Sequence, residues 1–270
     1  MTLEKEKKQL IFSILFPILV LFFIQVTYKY SCYFLIASIF MVFFIAYSFF
    51  QKRMREKNCF KNCYFKEDTF IAKIIISPYF TMIFYLFVSL IYTISIIYAV
   101  VSFEWYFYIF LGFFIAFVFV LYHKLLLWFS NIVHEKHLEI FTKELTIKIS
   151  SLFLFIVYIF LFIYSYEPSY LTTNLEESLK LATNSLSSNC QYLDYILRLK
   201  VELDTHFWFF TKQSSQILEN QELKNIVWIL FIVVNAISIL ALNRFIVQII
   251  SLSSKIREKI EYKKEIETNE

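Results

Sequence analysis

The chain has 270 residues, of which 59% are hydrophobic and only 18% charged, with a formal net charge of +4 and a mean hydropathy of +0.61. This balance excludes an ordinary soluble domain, because too little polar sequence remains to cover a globule of that size. The modest charge excess gives no indication of nucleic-acid binding.

A hydrocarbon core about 30 Å thick is crossed by roughly 20 helical residues, so nearly charge-free runs of about that length mark membrane spans. The first is Leu10 to Val26, preceded by Lys5, Lys7 and Lys8 and containing Pro17 and Gln25. No small-residue cleavage site follows it, so it reads as an uncleaved anchor. Pro17 has no N–H to donate and frees the carbonyl of Ser13, which predicts a kink. The second run, Ser31 to Phe50, follows a loop with Lys29 as its one basic residue and ends in a strongly basic segment that includes Lys52, Arg53, Arg55, Lys57 and Lys61. The third lies within Ile74 to Phe103. Its start is expected near Tyr79, because Ser77 and Pro78 suit a helix beginning.

The fourth run, Trp105 to Tyr122, closes with His123 and Lys124, and Leu125 to Lys148 forms a basic connection. The fifth run is Ile149 to Tyr166 and the sixth Ile226 to Leu242. Continuously apolar stretches such as Ile14, Leu15 and Phe16, or Phe43, Phe44 and Ile45, lack the alternation of a barrel strand. The fold class is therefore all-α: a polytopic helical membrane protein with six transmembrane helices.

Between runs five and six, Glu167 to Asn225 is large enough to form a body outside the membrane. Leu175, Leu179, Ala182, Leu186, Leu193 and Ile196 follow alternating steps of four and three residues, a helical seam with Asn189 in its one polar position. A second helix is expected from about Phe207. The reversal is placed near Leu203, Asp204 and Thr205, giving a helical hairpin. The organisation is then a five-helix membrane region over residues 1–166, the hairpin over 167–225, a sixth span over 226–250 and a charged tail over 251–270. That tail reads as a short amphipathic extension of the last span.

Lys and Arg of short loops are retained on the cytoplasmic side. The N-terminal segment, the second and fourth connections and the tail are rich in them, whereas the first connection has Lys29 alone, the third has none and the long fifth is net acidic. Both termini are accordingly expected in the cytoplasm, with the chain in a plasma membrane (the inner membrane of a bacterium).

Polar side chains inside spans are costly and become candidates for function. Asn235 and Gln25 are assigned to helix–helix hydrogen bonds, and Lys124 and Arg244 to anchors that snorkel to the headgroups. Trp208, Phe209 and Phe210 form an aromatic cluster expected at a protein interface or in the outer leaflet. Cys190 is the single cysteine of the long outer connection, so any disulfide it forms is expected to join another copy or another protein. His134 and His137 are three apart on a helix, but two imidazoles do not make a metal site. No span carries a central Asp or Glu, which disfavours ion-driven transport. Gly112 is the one glycine, so the glycine hinges and close contacts common in transporters are not available.

No catalytic, cofactor or metal site is assigned. The expected function is a membrane scaffold or assembly component, not an enzyme, whose partners are the lipid bilayer and other membrane proteins or further copies of itself. The alternative is the permease subunit of an exporter energised by a separate ATPase, since the chain has no phosphate-binding loop of its own.

Overall fold

The computed structural model describes residues 2–64, 77–102, 104–164, 168, 170–185, 188–217 and 221–269. Among them are eight helices and no strand: α1 (Thr2–Thr27), α2 (Phe34–Tyr64), α3 (Pro78–Val101), α4 (Trp105–Phe129), α5 (Glu135–Tyr164), α6 (Leu175–Ser185), α7 (Gln191–Ile217) and α8 (Gln221–Asn269). Helices satisfy their backbone groups within one segment, which is what a chain in hydrocarbon requires.

Among the described residues, five stretches are long and apolar enough to cross a membrane: Gln9–Thr27, Phe34–Phe60, Pro78–Val101, Trp105–Phe129 and Ile232–Lys255. The distribution of side chains points the same way, because apolar groups cover the outside as well as the core. Large apolar groups such as Leu19, Ile36, Phe87, Phe113 and Leu152 face outward, while Ser13, Ser48, Lys143, Thr146, Asn243 and Gln248 are buried. Water would not tolerate that arrangement across a whole surface, and lipid would. The chain is thus a helical membrane protein.

The expected run Ile149 to Tyr166 coincides, as far as Tyr164, with the second half of α5, and its last two residues lie outside the described residues. Helix α3 starts at Pro78 in the first turn with Ser77 as N-cap, close to the expected Tyr79. Helix α1 includes Pro17 within its 26 residues, and Pro17 is buried. The basic segment after the second run continues α2 as far as Tyr64, with its Lys66 and Lys73 outside the described residues, and the connection Leu125 to Lys148 is mostly helix, reduced to the turn between Phe129 and Glu135.

Helix α8 organises the bundle: it packs against α1 to α5 and α7, and every residue from 241 to 250 is buried. At 49 residues it runs for roughly 70 Å, more than twice the hydrocarbon thickness. Its residues Ala241, Phe245, Ile246 and Ile250 belong to one hydrophobic core with Leu21 and Ile24 of α1, Met41 and Ile45 of α2, Val100 of α3, and Ile115 and Val118 of α4. A Cβ built at Gly112 meets Ile18 Cδ1 at 3.8 Å, an ordinary contact. The single glycine is therefore not what lets α1 and α4 approach.

The outer connection differs from expectation in where it turns. Helix α6 ends at Ser185 and α7 runs unbroken through Leu203, Asp204 and Thr205, so the helix break precedes Gln191; the seam positions Leu175, Leu179 and Ala182 fall on α6, Leu193 and Ile196 on α7, and the two helices pack on each other, while Leu186 lies outside the described residues. The physical reason is local. Ser188 N–H donates to Asp194 Oδ1 at 2.9 Å and Cys190 N–H to Ser188 Oγ at 3.2 Å, side-chain bonds that compete with continued helix, and the backbone bond from Asp194 N–H to the Cys190 carbonyl at 2.9 Å begins α7. Helix α6 has its own N-cap in Asn174, whose Oδ1 accepts from Glu176 N–H at 3.0 Å.

Candidate functional site

Two clusters brace opposite ends of the bundle. Chain direction places the first at the end where α1 begins and where α2 and α8 finish. There α5 and α8 run antiparallel, and side chains one turn apart on each helix meet in register. Arg244 of α8 grips Glu144 of α5 in a fork, Nη1 to Oε1 at 2.9 Å and Nη2 to Oε2 at 3.2 Å. Lys52 of α2 completes the carboxylate at 3.0 Å from Oε2. The guanidinium lies 3.9 Å over the Phe49 ring, and its Nη1 is 3.3 Å from Ser48 Oγ. One turn further along α8, Gln248 Oε1 accepts from Lys143 Nζ at 2.9 Å, and Gln51 Oε1 of α2 accepts from the same ammonium at 2.9 Å. Next, Glu139 accepts from Ser251 Oγ at 2.8 Å and from Lys255 Nζ at 2.9 Å.

Helix α1 joins from another side: Gln9 Nε2 donates to Ser254 Oγ at 2.9 Å, and Ser13 Oγ is 3.1 Å from Ser253 Oγ. Asn243 Nδ2 donates to Ser151 Oγ at 3.0 Å. Three helices, α1, α2 and α5, are thereby tied to α8.

Burial and pairing set the charges of the two α5 side chains that precede the fifth apolar run. Removal from water pushes the Lys143 ammonium down to about 8. Burial alone would raise the Glu144 carboxyl, but the bonds and charges of Arg244 and then Lys52 outweigh it and hold the group below its ordinary value. A carboxylate that accepts a guanidinium fork and an ammonium has little capacity left for a substrate or proton. The cluster's chemistry is that of a structural clasp.

The second cluster lies at the opposite end and joins α7 to the bundle. Cys190 forms a disulfide with Cys32, which precedes α2. This corrects the expectation of a bond to another chain: the two cysteines lie in connections at the same end of the bundle, and α7 brings them together. Beside the disulfide, Ser188 Oγ donates to the Tyr28 carbonyl and Asn189 N–H to the Lys29 carbonyl at 3.3 Å. Further along α7, Asp204 accepts from both Tyr98 Oη and Lys200 Nζ, and Lys200 sits 4.6 Å over the Tyr98 ring. Trp208 packs against Tyr158 of α5, Leu171 and Phe207.

The residues singled out by sequence divide accordingly. Arg244 does not snorkel: it is buried and turned inward, because Glu144 offers a closer anion than the headgroups. Lys124 is exposed at the end of α4. Trp208 and Phe209 are buried within the chain's own fold, so of the aromatic cluster only Phe210 presents an exposed face. Gln25 and Asn235 are half-buried on α1 and α8. His123 Nδ1 lies 2.9 Å from the Phe119 carbonyl of its own helix. Among the described residues, no three His, Cys, Asp or Glu side chains converge on a common point. Cys59 is an exposed free thiol on the basic extension of α2.

Sequence reasoning missed Glu139 and Glu144, because topology is read from Lys and Arg alone. Their signal was the run Glu139, Lys143, Glu144 on one helix, facing Arg244, Gln248, Ser251 and Lys255 spaced by turns on another. No family model, no curated protein and no solved structure matches the chain.

Proposed function

We propose that the chain spans a plasma membrane six times, with both termini and the ionic clasp at the cytoplasmic side and α6 and α7 outside. Two independent observations support this orientation. Lys and Arg concentrate at the clasp end, whereas the disulfide sits at the other end, and disulfides persist on the oxidising side of a membrane. The free thiol of Cys59 falls on the clasp side, as a reducing cytoplasm favours.

The function is that of a rigid, non-enzymatic anchor or assembly component of a membrane complex. The observation that carries it is the bracing of both ends. Alternating access requires helices to part at one end and then the other, but here a disulfide ties the start of α7 to the segment before α2 at one end, and a buried fork of charge links α2, α5 and α8 at the other. What remains available is surface: outward apolar faces on the spans and an external helix layer.

Affinity purification of the tagged chain from its native membrane in mild detergent tests this. Stoichiometric recovery of other membrane proteins, or of further copies, is the expected result. Recovery of a monomer alone sinks the assembly reading, and recovery of an ATPase with solute flux lost on deletion would replace it with the exporter-subunit reading.

A further inference from the structure

The corner where α2 packs against the start of α3 joins fixed positive charge to a bare apolar stripe. Lys57 of α2 donates to Thr81 Oγ1 at 2.6 Å, and that hydroxyl donates in turn to the Ser77 carbonyl at 2.9 Å. Thr81 is buried, so the ammonium is held on an acceptor that is itself fixed. Arg53 lies one turn earlier on the same face of α2 and is paired with Glu56 at 2.9 Å. Among the described residues, no carboxylate lies within ion-pair distance of Lys57, or of Arg55, whose guanidinium donates to the Lys136 carbonyl. Residues 53–57 thus carry three cations against one acid. The clasp is different, because there Lys52 and Lys255 have Glu144 and Glu139.

Depth and shape add to the charge. Helix α3 opens the apolar stretch Pro78–Val101, so the Lys57–Thr81 contact in its first turn lies at headgroup depth. From there Phe80, Phe84, Phe87 and Ile91 follow one another by four and three residues, all exposed. They form a continuous line along the outward side of α3, about 16 Å long. A partner helix would cover that line but leave the lysine without an anion. A zwitterionic lipid would bring a cation of its own to the corner. An anionic phospholipid answers both features, with a phosphate for the cations and an acyl chain for the stripe.

We infer that the corner between α2 and α3 is a binding site for an anionic phospholipid, whose phosphate accepts from Lys57 and Arg53 while an acyl chain lies along Phe80, Phe84, Phe87 and Ile91. A lipid held in this way ties α2 to α3 at the end of the bundle that carries the clasp. The inference rests on the chain lying in a membrane, and it is independent of assembly and of which leaflet the clasp faces.

Native mass spectrometry of the detergent-purified chain, titrated with equal amounts of phosphatidylglycerol and phosphatidylcholine, reads the site directly. A preference for bound phosphatidylglycerol of roughly fivefold or more is expected, the effect of about one cation beside an anionic headgroup. Lys57→Gln keeps a donor for Thr81 without the charge and is expected to bring the ratio near parity, whereas Lys57→Arg preserves it. Lys124→Gln removes an exposed cation at the end of α4 and is expected to leave the ratio unchanged. Equal retention of the two lipids by the wild type overturns the inference. So does a ratio that falls as far in Lys124→Gln as in Lys57→Gln, since the preference would then follow total charge. Displacement of phosphatidylglycerol by inorganic phosphate at matching concentration would show that the anion alone is recognised, and it overturns the lipid site as well. None of these outcomes bears on the assembly reading, which is judged by the proteins that co-purify.

Discussion

Glu144→Gln lowers the thermal unfolding midpoint of the detergent-purified protein more than the change of a single atom would imply. The carboxylate is the shared anion of Arg244 and Lys52 and stands beside Lys143. Removing it leaves cationic side chains buried between α2, α5 and α8. Breaking one side of a buried ion pair costs about 3–5 kcal/mol, because the remaining charge is still desolvated. For a chain of this size that amounts to a shift of roughly 10 °C. The pair itself is worth much less than this figure, since both members lost hydration to form it. Hence the double variant Glu144→Gln with Arg244→Gln is expected to unfold closer to the wild type than either single variant, a coupling of about 1–3 kcal/mol in a double-mutant cycle. Strict additivity would mean that the fork does not hold the helices together. Gln at both positions keeps hydrogen-bonding capacity, so the comparison isolates charge.

Cys190→Ser produces the second large effect, at the other end. The bond closes a loop with a sequence separation of 158, for which the chain-entropy argument gives about 5 kcal/mol in a fully flexible unfolded chain. Spans between the two cysteines stay in the bilayer even when packing is lost, so the unfolded state is already restricted and about 2–4 kcal/mol is the expected loss. The effect is local as well as global. Without the bond, the start of α7 is held by the hydrogen bonds of Ser188 and Asn189 to the Tyr28 and Lys29 carbonyls. Limited proteolysis should then cut between α6 and α7 while the spans remain protected. Equal protection with and without the disulfide would show that the packing of Trp208 and the Asp204 contacts suffices. Cys32, left unpaired in this variant, is expected to form disulfide-linked dimers on a non-reducing gel.

The spans were legible in the sequence because their signal is one-dimensional: a helix crossing lipid needs a charge-free run of fixed length, and the runs at Leu10, Ser31, Tyr79, Trp105 and Ile226 all fall on helices. The beginning of α3 was legible for the same kind of reason, as Pro78 acts on the backbone locally. What stayed hidden depends on pairs. Arg244 at the edge of an apolar run looks the same to a sequence reader whether it reaches headgroups or a carboxylate, and only the antiparallel register of α5 and α8 brings Glu144 to it. Cys32 and Cys190 lay in segments already assigned to one side of the membrane, yet nothing local states that α7 folds back over the start of α2. The turn of the outer layer was misplaced because the seam from Leu175 to Ile196 keeps its period across the break. Periodicity survives a reversal when the two arms pack on each other, whereas the hydrogen bonds of Ser188 and Asp194 that make the break carry no period.

The orientation of the braced ends is tested most directly by thiol accessibility in right-side-out membranes carrying the chain with Cys63 changed to Ser. A membrane-impermeant maleimide is expected to label no thiol until the membrane is permeabilised, when Cys59 reacts. After an impermeant reductant, Cys32 and Cys190 are expected to label without permeabilisation. Labelling of Cys59 in sealed membranes, or reduction-dependent labelling that requires permeabilisation, would place the clasp outside and contradict the account.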